Sequence, residues 1–389
     1  MLLLATVVAL LLANSALGLG YESLLRFSIG GGAGALRFHW SIQECVNDGL
    51  MAIFFLVVGL EVKREFVAGE LRSLRCALLP VLAALGGVLT PALFYFALNR
   101  GGPGARGWGV SIATDVAFSL AVLAAFGKRV PLGLKVFIVA LAIVDDIAGV
   151  AVIAVVYRSQ ISPEYLAIAA LLFVFCLLLN RRGVLRLSVY VPLGIALWWA
   201  MYRSGVHPTL AGILLALAIP SRPTDISDSE AETVEDQESA AALQESVADR
   251  LESALHPWVS FGIVPLFALV NADISLQGLR GDATQQPIFL GLVLGLVLGK
   301  PIGITLFSWI AVRLRFAELP RGVTWKQLHA ASWLGGIGFT VSIFIAGLAF
   351  HTEQQYTLAR AAVLAASVCA AGIAACLIAV TCKQQQNPT

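Results

Sequence analysis

The sequence predicts an all-α polytopic membrane protein, and three observations carry that prediction. Of 389 residues, 58% are hydrophobic and only 13% charged, against roughly 25% charged in ordinary soluble domains. The apolar residues form continuous runs near the 20 or so that span a bilayer as a helix. Short polar turns separate these runs, and stretches such as Leu132 to Val156 contradict the alternating ten-residue segments of an outer-membrane barrel. A chain this apolar cannot coat soluble globular units, so a soluble enzyme is excluded and lipid is its solvent. A net charge of +2, from 26 basic and 24 acidic residues, gives no basic excess for nucleic acid. Cys45, Cys76, Cys176, Cys369, Cys376 and Cys382 are scattered without a CxxC pair or clustered histidines. They read as packing residues, and no cofactor is expected.

About twelve transmembrane segments follow in order, near 1–17, 42–62, 75–98, 104–126, 133–157, 162–179, 185–202, 206–219, 255–271, 287–312, 327–350 and 358–382, within a single transporter domain over 1–389. The first, MLLLATVVALLLANSALG, resembles a signal peptide, but no Lys or Arg precedes Arg26 to form a basic leader, so it reads as a membrane helix. Its start at Met1 is expected of a short form lacking a cytoplasmic N-terminal stretch. LRFSIGGGAGALRFHW at 25–40 alternates around a glycine cluster and predicts a small periplasmic hairpin. Residues 222–252 hold ten acids against two bases and predict a solvated acidic cytoplasmic loop. It is an ordinary linker unless its charge draws cations toward an entrance. With alternating sides, 17 of the 26 Lys and Arg fall on one face and 8 on the other, Lys300 lying within a span. The richer face, which includes the C-terminus, is expected to be cytoplasmic.

Ionisable groups at mid-bilayer cost at least about 2.5–3.5 kcal/mol each, so each needs a reason. Asp145 and Asp146 sit at the centre of VALAIVDDIAGVAV, Asp115 at the middle of 104–126, and Lys300 at the middle of 287–312. For one such residue a structural ion pair suffices. Here three carboxylates face one ammonium, and the surplus negative charge calls for a mobile cation. Adjacent helical residues diverge by about 100°, so one of Asp145 and Asp146 can face Lys300 while the other faces a water-filled cavity. Neighbouring carboxylates in low dielectric titrate as a coupled pair. Such a site takes protons or a hard cation such as Na⁺ or Li⁺, and mutual exclusion at one site is already exchange.

GWGVSIATDVAFSLAV carries Thr114 and Asp115 after glycines, and WLGGIGFTVSIFIAG carries Gly335, Gly336, Gly338, Thr340 and Ser342 in mid-span. Glycines in one span serve close helix packing. Two interrupted spans in corresponding positions point to an internal repeat and a transport site. If both helices break there, Asp115 would offset facing N-termini and Lys300 facing C-termini.

NDGLMAIFFLVVGLEVKRE at 47–65, ATDVAFSLAV at 113–122, ALAIVDDIAGV at 140–150, SGVHPTLAG at 204–212, LHPWVSFGIVPLFALVNA at 255–272, LGLVLGKPIGI at 294–304 and GGIGFTVSIFIAGLAF at 335–350 closely resemble the NhaA family of sodium/proton antiporters, itself an instance of the broken-helix transporter architecture. The resemblance runs from about residue 1 to 382. It implies twelve helices in inverted repeats, with two discontinuous helices, near 104–126 and 327–350, crossing at mid-membrane. It implies an ion site for Na⁺ at Asp145 and Asp146, with Asp146 the most direct ligand, Thr114 and Asp115 assisting, and Lys300 paired with Asp145. It further implies a homodimer in the bacterial inner membrane that exports Na⁺ or Li⁺ against more H⁺, serving pH homeostasis and salt tolerance. Because net charge moves, the membrane potential drives the cycle at about 2.3 kcal/mol per charge per 100 mV.

Family regulation at acidic pH maps by position onto Glu61, Arg64 and Glu65 in LEVKRE, onto Glu252 and His256 in LESALHP, and onto His207 in SGVHPT. LEVKRE is equally an ordinary solvated helix end. His207 lies by spacing near the other face, although histidine has the right intrinsic pKa of about 6.5. Asp48 and Gly338 match the family as secondary positions. Ser253 stands where a second histidine is usual, and the acidic loop is longer and more negative than the family norm.

Two other functions compete. A sodium-coupled symporter of an organic anion would need a base at mid-membrane, and Lys300 is the only one. An intramembrane aspartyl protease needs catalytic aspartates on separate helices in YD and GxGD contexts, which this sequence lacks.

Overall fold

The computed structural model describes residues 1–31, 38–67, 69, 74–157, 161–221, 246–274 and 286–382. Most of the predicted acidic loop, 222–245, and the last seven residues therefore lie outside the described residues. The chain forms α1 (Leu2–Ala13), α2 (Gly18–Leu25), β1 (Ser28–Gly31), β2 (Phe38–Ser41) and α3 (Ile42–Val67). Then come α4 (Leu74–Asn99), a 3₁₀ segment (Ala105–Ile112), α5 (Val116–Ala125), α6 (Leu132–Val156), α7 (Pro163–Arg181), α8 (Leu187–Ser204) and α9 (Leu210–Ala218). The last are α10 (Val247–Asn271), α11 (Pro287–Arg313), α12 (Trp325–Ser332) with a 3₁₀ turn (Trp333–Gly336), α13 (Phe339–Ala349) and α14 (Glu353–Thr381).

Among the described residues eight helices are long and apolar enough to cross a membrane, and ten if each of two bent pairs counts once. The bent pairs are α1 with α2, at 115°, and Trp325–Gly336 with α13, at 43°. In the first, helix fills the expected segment 1–17 only over Leu2–Ala13, and the chain turns sharply after it into α2. α8 and α9 occupy the remaining two predicted segments without meeting that length and hydropathy. α9 has only nine residues because Pro208 disfavours helix in the residue before it and the chain enters helix two residues later. β1 and β2 pair antiparallel, Ser28 opposite Ser41 and Gly31 opposite Phe38.

The chain divides into two compact units, one of Met1–Gln43, Glu70–Tyr157 and Pro265–Thr389, the other of Glu44–Gly69 and Arg158–Val264. In the first, α4 and α11 meet at backbone distance. A Cβ added to Gly86 would lie 2.2 Å from the Gly303 carbonyl oxygen, and one on Gly299 would lie 2.7 Å from Pro91 Cα. Gly295, Gly299 and Gly303 recur every four residues, the small-residue stripe that lets membrane helices approach without a hydrophobic driving force. This contact fixes α11, the helix that carries Lys300.

In the second unit α3 packs on α9 through Gly212, whose added Cβ would fall 2.1 Å from the Ala52 carbonyl oxygen. The Lys63 ammonium donates to the carbonyls of Ala216, Leu217 and Ile219. It thereby places a cation on the negative C-terminal end of α9. Gly205, at φ 80°, ends α8 in the left-handed conformation.

Candidate ion site

Two helices of the first unit break where the sequence places glycine beside hydroxyls. After the 3₁₀ segment, Ala113 is extended (φ −78°, ψ 146°) and Asp115 (φ −84°, ψ 101°) caps α5. After Gly336, Ile337 is extended (φ −81°, ψ 90°) before α13 begins at Phe339. The breaks are tied to each other. Asp115 N–H donates to the Ile337 carbonyl at 2.6 Å, Thr114 Oγ1 to Gly335 O at 2.9 Å, and Ser119 Oγ to Leu334 O at 3.0 Å. In the other direction Ser342 Oγ donates to Val110 O at 2.8 Å. Backbone groups left without helical partners are thus satisfied inside protein, the condition for irregular backbone at membrane depth. A side chain at Gly338 would put Cβ 2.2 Å from Ser342 Oγ, and one at Gly336 would put it 2.4 Å from the Leu296 carbonyl oxygen. Glycine at 336 lets this turn lie against the α11 backbone, and glycine at 338 leaves room for Ser342 beside the Ala113 carbonyl.

Asp115 is 2% exposed and both of its oxygens are engaged. Oδ1 accepts from Phe118 N–H at 3.0 Å, in the first turn of α5. Oδ2 accepts from Thr340 N–H at 3.2 Å and Thr340 Oγ1 at 2.5 Å, in the first turn of α13. One carboxylate therefore caps two helix N-termini, where the macrodipole favours negative charge. Thr340 was not among the sequence-predicted site residues; the hydroxyl directly after GGIGF was its only signal.

Asp145 lies on α6 and is 2% exposed, Asp146 8%, and Lys300 0%. Lys300 Nζ donates to Asp145 Oδ2 at 2.6 Å, and the Thr114 hydroxyl, whose single proton is shared between this oxygen and the Gly335 carbonyl, lies 2.7 Å from the same oxygen. The other oxygen, Oδ1, is buried and has no hydrogen-bond partner among the described residues. Lys300 follows directly on a π-helical turn, Gly295–Gly299, a distortion frequent at functional sites. Thr114, Asp115, Asp145, Asp146 and Lys300 are thus gathered within one unit. Among the described residues no three His, Cys, Asp or Glu side chains converge on a point, so a cation held here would also need hydroxyl, carbonyl or water oxygens.

The residues expected to regulate by pH separate into two places in the second unit. Arg64 Nη1 meets Glu252 Oε1 at 2.5 Å, with Arg64 half-exposed and Glu252 buried; Glu252 Oε2 has no hydrogen-bond partner among the described residues. Glu61, Asp249 and His256 lie within electrostatic range of Glu252. Glu65, one residue after Arg64, is half-buried. His207 belongs elsewhere. Its Nδ1 is 2.8 Å from Thr209 Oγ1 and its Nε2 is 3.6 Å from Asp48 Oδ1, while Trp198 Nε1 donates to the Asp48 carbonyl. Asp48 and Glu61 are 13 residues apart on α3, about 20 Å along a helix at 1.5 Å per residue.

One buried pair went unread in the sequence. Arg360, one of the eight basic residues that the sequence assigns to the poorer face, is 5% exposed in α14. It meets Asp273 and donates to the Asn271 carbonyl, with its guanidinium 4.4 Å above the Tyr356 ring. Burial pushes the Asp273 carboxyl up from its ordinary pKa, and Arg360 pulls it partly back.

Known proteins resemble this chain along nearly its whole length. Residues 1–378 match the family described as Na⁺/H⁺ antiporter 1. The chain is 44% identical to Na⁺/H⁺ antiporter NhaA 2 of Flavobacterium johnsoniae, covering 100% of this chain and 91% of that protein. It is 45% identical to Na⁺/H⁺ antiporter NhaA of a Shewanella species, over 95% and 92% respectively, and 43% identical to that of Escherichia coli, over 96% and 92%.

Proposed function

The chain belongs to the NhaA family of Na⁺/H⁺ antiporters, and from that premise we propose that Na⁺ and H⁺ compete for the buried carboxylates of Asp145 and Asp146. It is a multi-pass membrane protein and a secondary active transporter, not an enzyme. The observation that carries the proposal is Asp145 itself, one oxygen committed to Lys300 and Thr114 and the other buried with no hydrogen-bond partner among the described residues. A hard cation or a proton satisfies that oxygen equally, and either alternative offsets the cost of a buried acceptor left unmade. Asp146, the next residue on α6, supplies the second carboxylate and the direct cation contact. Three carboxylates against one ammonium keep the site negative until it loads. Asp115 acts through the two helix ends that it caps, rather than as a primary ligand.

In this reading Na⁺ or Li⁺ leaves the cell by alternating access against a larger number of protons, so that membrane potential drives export. The protein works as a homodimer in the bacterial inner membrane, with its C-terminus cytoplasmic and its hairpin periplasmic. Its twelve spans form inverted repeats. The Arg64–Glu252 group, with Glu61, Glu65 and His256, sets the pH response. The symporter alternative draws no support: the relatives are antiporters by name, and the base it would need for an organic anion, Lys300, is already held by Asp145.

The test uses everted vesicles and a pH-sensitive dye. Adding NaCl should collapse an acid-inside gradient, and Asp146→Asn should abolish the response while the protein still inserts. Exchange retained in that variant would remove Asp146 from the site, and a response that required an added organic anion would restore the symporter.

A further inference from the structure

We propose that the groove between α4 and the 3₁₀ segment 105–112 binds an anionic phospholipid, with an acyl chain along the apolar wall and the headgroup phosphate on the Arg106 guanidinium. The groove encloses about 440 Å³, within the roughly 300–1,000 Å³ usual for ligand pockets. Leu89, Leu93 and Phe96 of α4 form one wall, exposed at 44%, 66% and 47%. Ala105, Arg106 and Trp108 form the other. A tryptophan beside an arginine at the end of an apolar groove is the composition of a membrane interface, with the ring at headgroup level.

Charge selects the occupant. Between Arg75 and Asp115 the sequence carries only two charged residues, Arg100 and Arg106, both in or beside the turn from α4 into the 3₁₀ segment. Among the described residues neither has a carboxylate within ion-pair distance. An exposed guanidinium next to an apolar cleft is complementary to an amphiphile that joins a chain to a negative head, and guanidinium geometry matches phosphate oxygens.

The arginine also projects from a fixed backbone. Tyr157 Oη donates to the Arg106 carbonyl at 2.7 Å and Tyr95 Oη to the Gly104 carbonyl at 2.6 Å. Gly107 packs so closely on Phe350 and Tyr95 that an added Cβ would lie 2.3 Å and 2.4 Å from their atoms. Eight residues beyond Arg106 the same strand of chain reaches Thr114. A lipid seated in the groove would therefore lie against the leading half of the broken helix that enters the ion site.

The test is thermal unfolding of the purified full-length protein in detergent, titrated with phosphatidylglycerol or phosphatidylcholine. Phosphatidylglycerol should raise the melting temperature of the parent protein, and phosphatidylcholine should not. Arg106→Ala should weaken the phosphatidylglycerol effect about tenfold in midpoint concentration, Arg106→Lys should keep most of it, and Leu93→Trp, which fills the groove, should abolish it. Equal shifts with both lipids, an unchanged response in Arg106→Ala, or a comparable shift with inorganic phosphate alone would overturn the proposal. If Leu93→Trp fails to fold, the comparison of Arg106→Ala with Arg106→Lys decides.

Discussion

Lys300 and Asp145 form an ion pair at 2.6 Å in which neither side chain is accessible to solvent. Removing one partner of such a pair leaves an uncompensated buried charge, at a cost of about 3–5 kcal/mol. Lys300→Ala should therefore lower the melting temperature as well as exchange, and Lys300→Ala with Asp145→Asn should recover most of the stability without the activity. An unchanged melting temperature in the single variant would show that the pair does not hold the bundle.

Asp115 and Asp146 should separate by stability. Asp115 caps two helices with separate oxygens, and asparagine keeps only one acceptor, so Asp115→Asn should lose one cap, at about 0.5–2 kcal/mol, and melt earlier than the parent. Asp146→Asn should lose exchange with a smaller loss of melting temperature than Asp115→Asn. The reverse order would assign the capping role to the wrong carboxylate. Thr340→Val, which deletes one donor to Asp115, should fall between Asp115→Asn and the parent.

Gly338→Ala should impair both folding and exchange, because the new methyl would overlap Ser342 Oγ. Adding Ser342→Ala should restore part of each by vacating that space. Circular dichroism melts of the single and double variants check this, and a double variant no better than the single one would mean that the contacts left in place, Ser342 Cβ at 2.9 Å and the Ala113 carbonyl oxygen at 3.2 Å, are the real obstacle.

The pH response should follow the Arg64–Glu252 end of α3. Glu252→Gln should move the midpoint of activation by pH while leaving the maximal rate near that of the parent, and His207→Gln should leave the midpoint in place. Dye-dequenching profiles across pH 6.5–9 with Na⁺ measure both. A shift confined to His207→Gln would transfer the role to the His207–Asp48 contact.

What could be read from sequence was what lipid makes expensive. Asp145, Asp146, Asp115 and Lys300 stand out because charge inside an apolar run has few innocent explanations, and the two breaks stand out because Gly107 and Gly109 precede the first and Gly336 and Gly338 flank the second. The bonds from Thr340 to Asp115 and from Thr114 to Gly335 could not be read, since each joins residues more than 200 positions apart and no local period encodes the pairing. The pairing of Arg360 was illegible for a related reason. A single arginine near a span end looks like a loop charge, and only the return of Asp273 beside it reveals an interior pair. The bend after Ala13 was hard to read because Asn14 and Ser15 are a brief polar interruption with no proline, and apolar residues resume at Ala16 and Leu17.

Because Asp115 holds the first turns of α5 and α13 through separate oxygens, the interruption in one helix is fastened to the interruption in the other. Neither can be straightened or pulled away alone without stripping a buried carboxylate of its donors. Any change of access to the carboxylates that keeps these bonds carries both interruptions together as one piece.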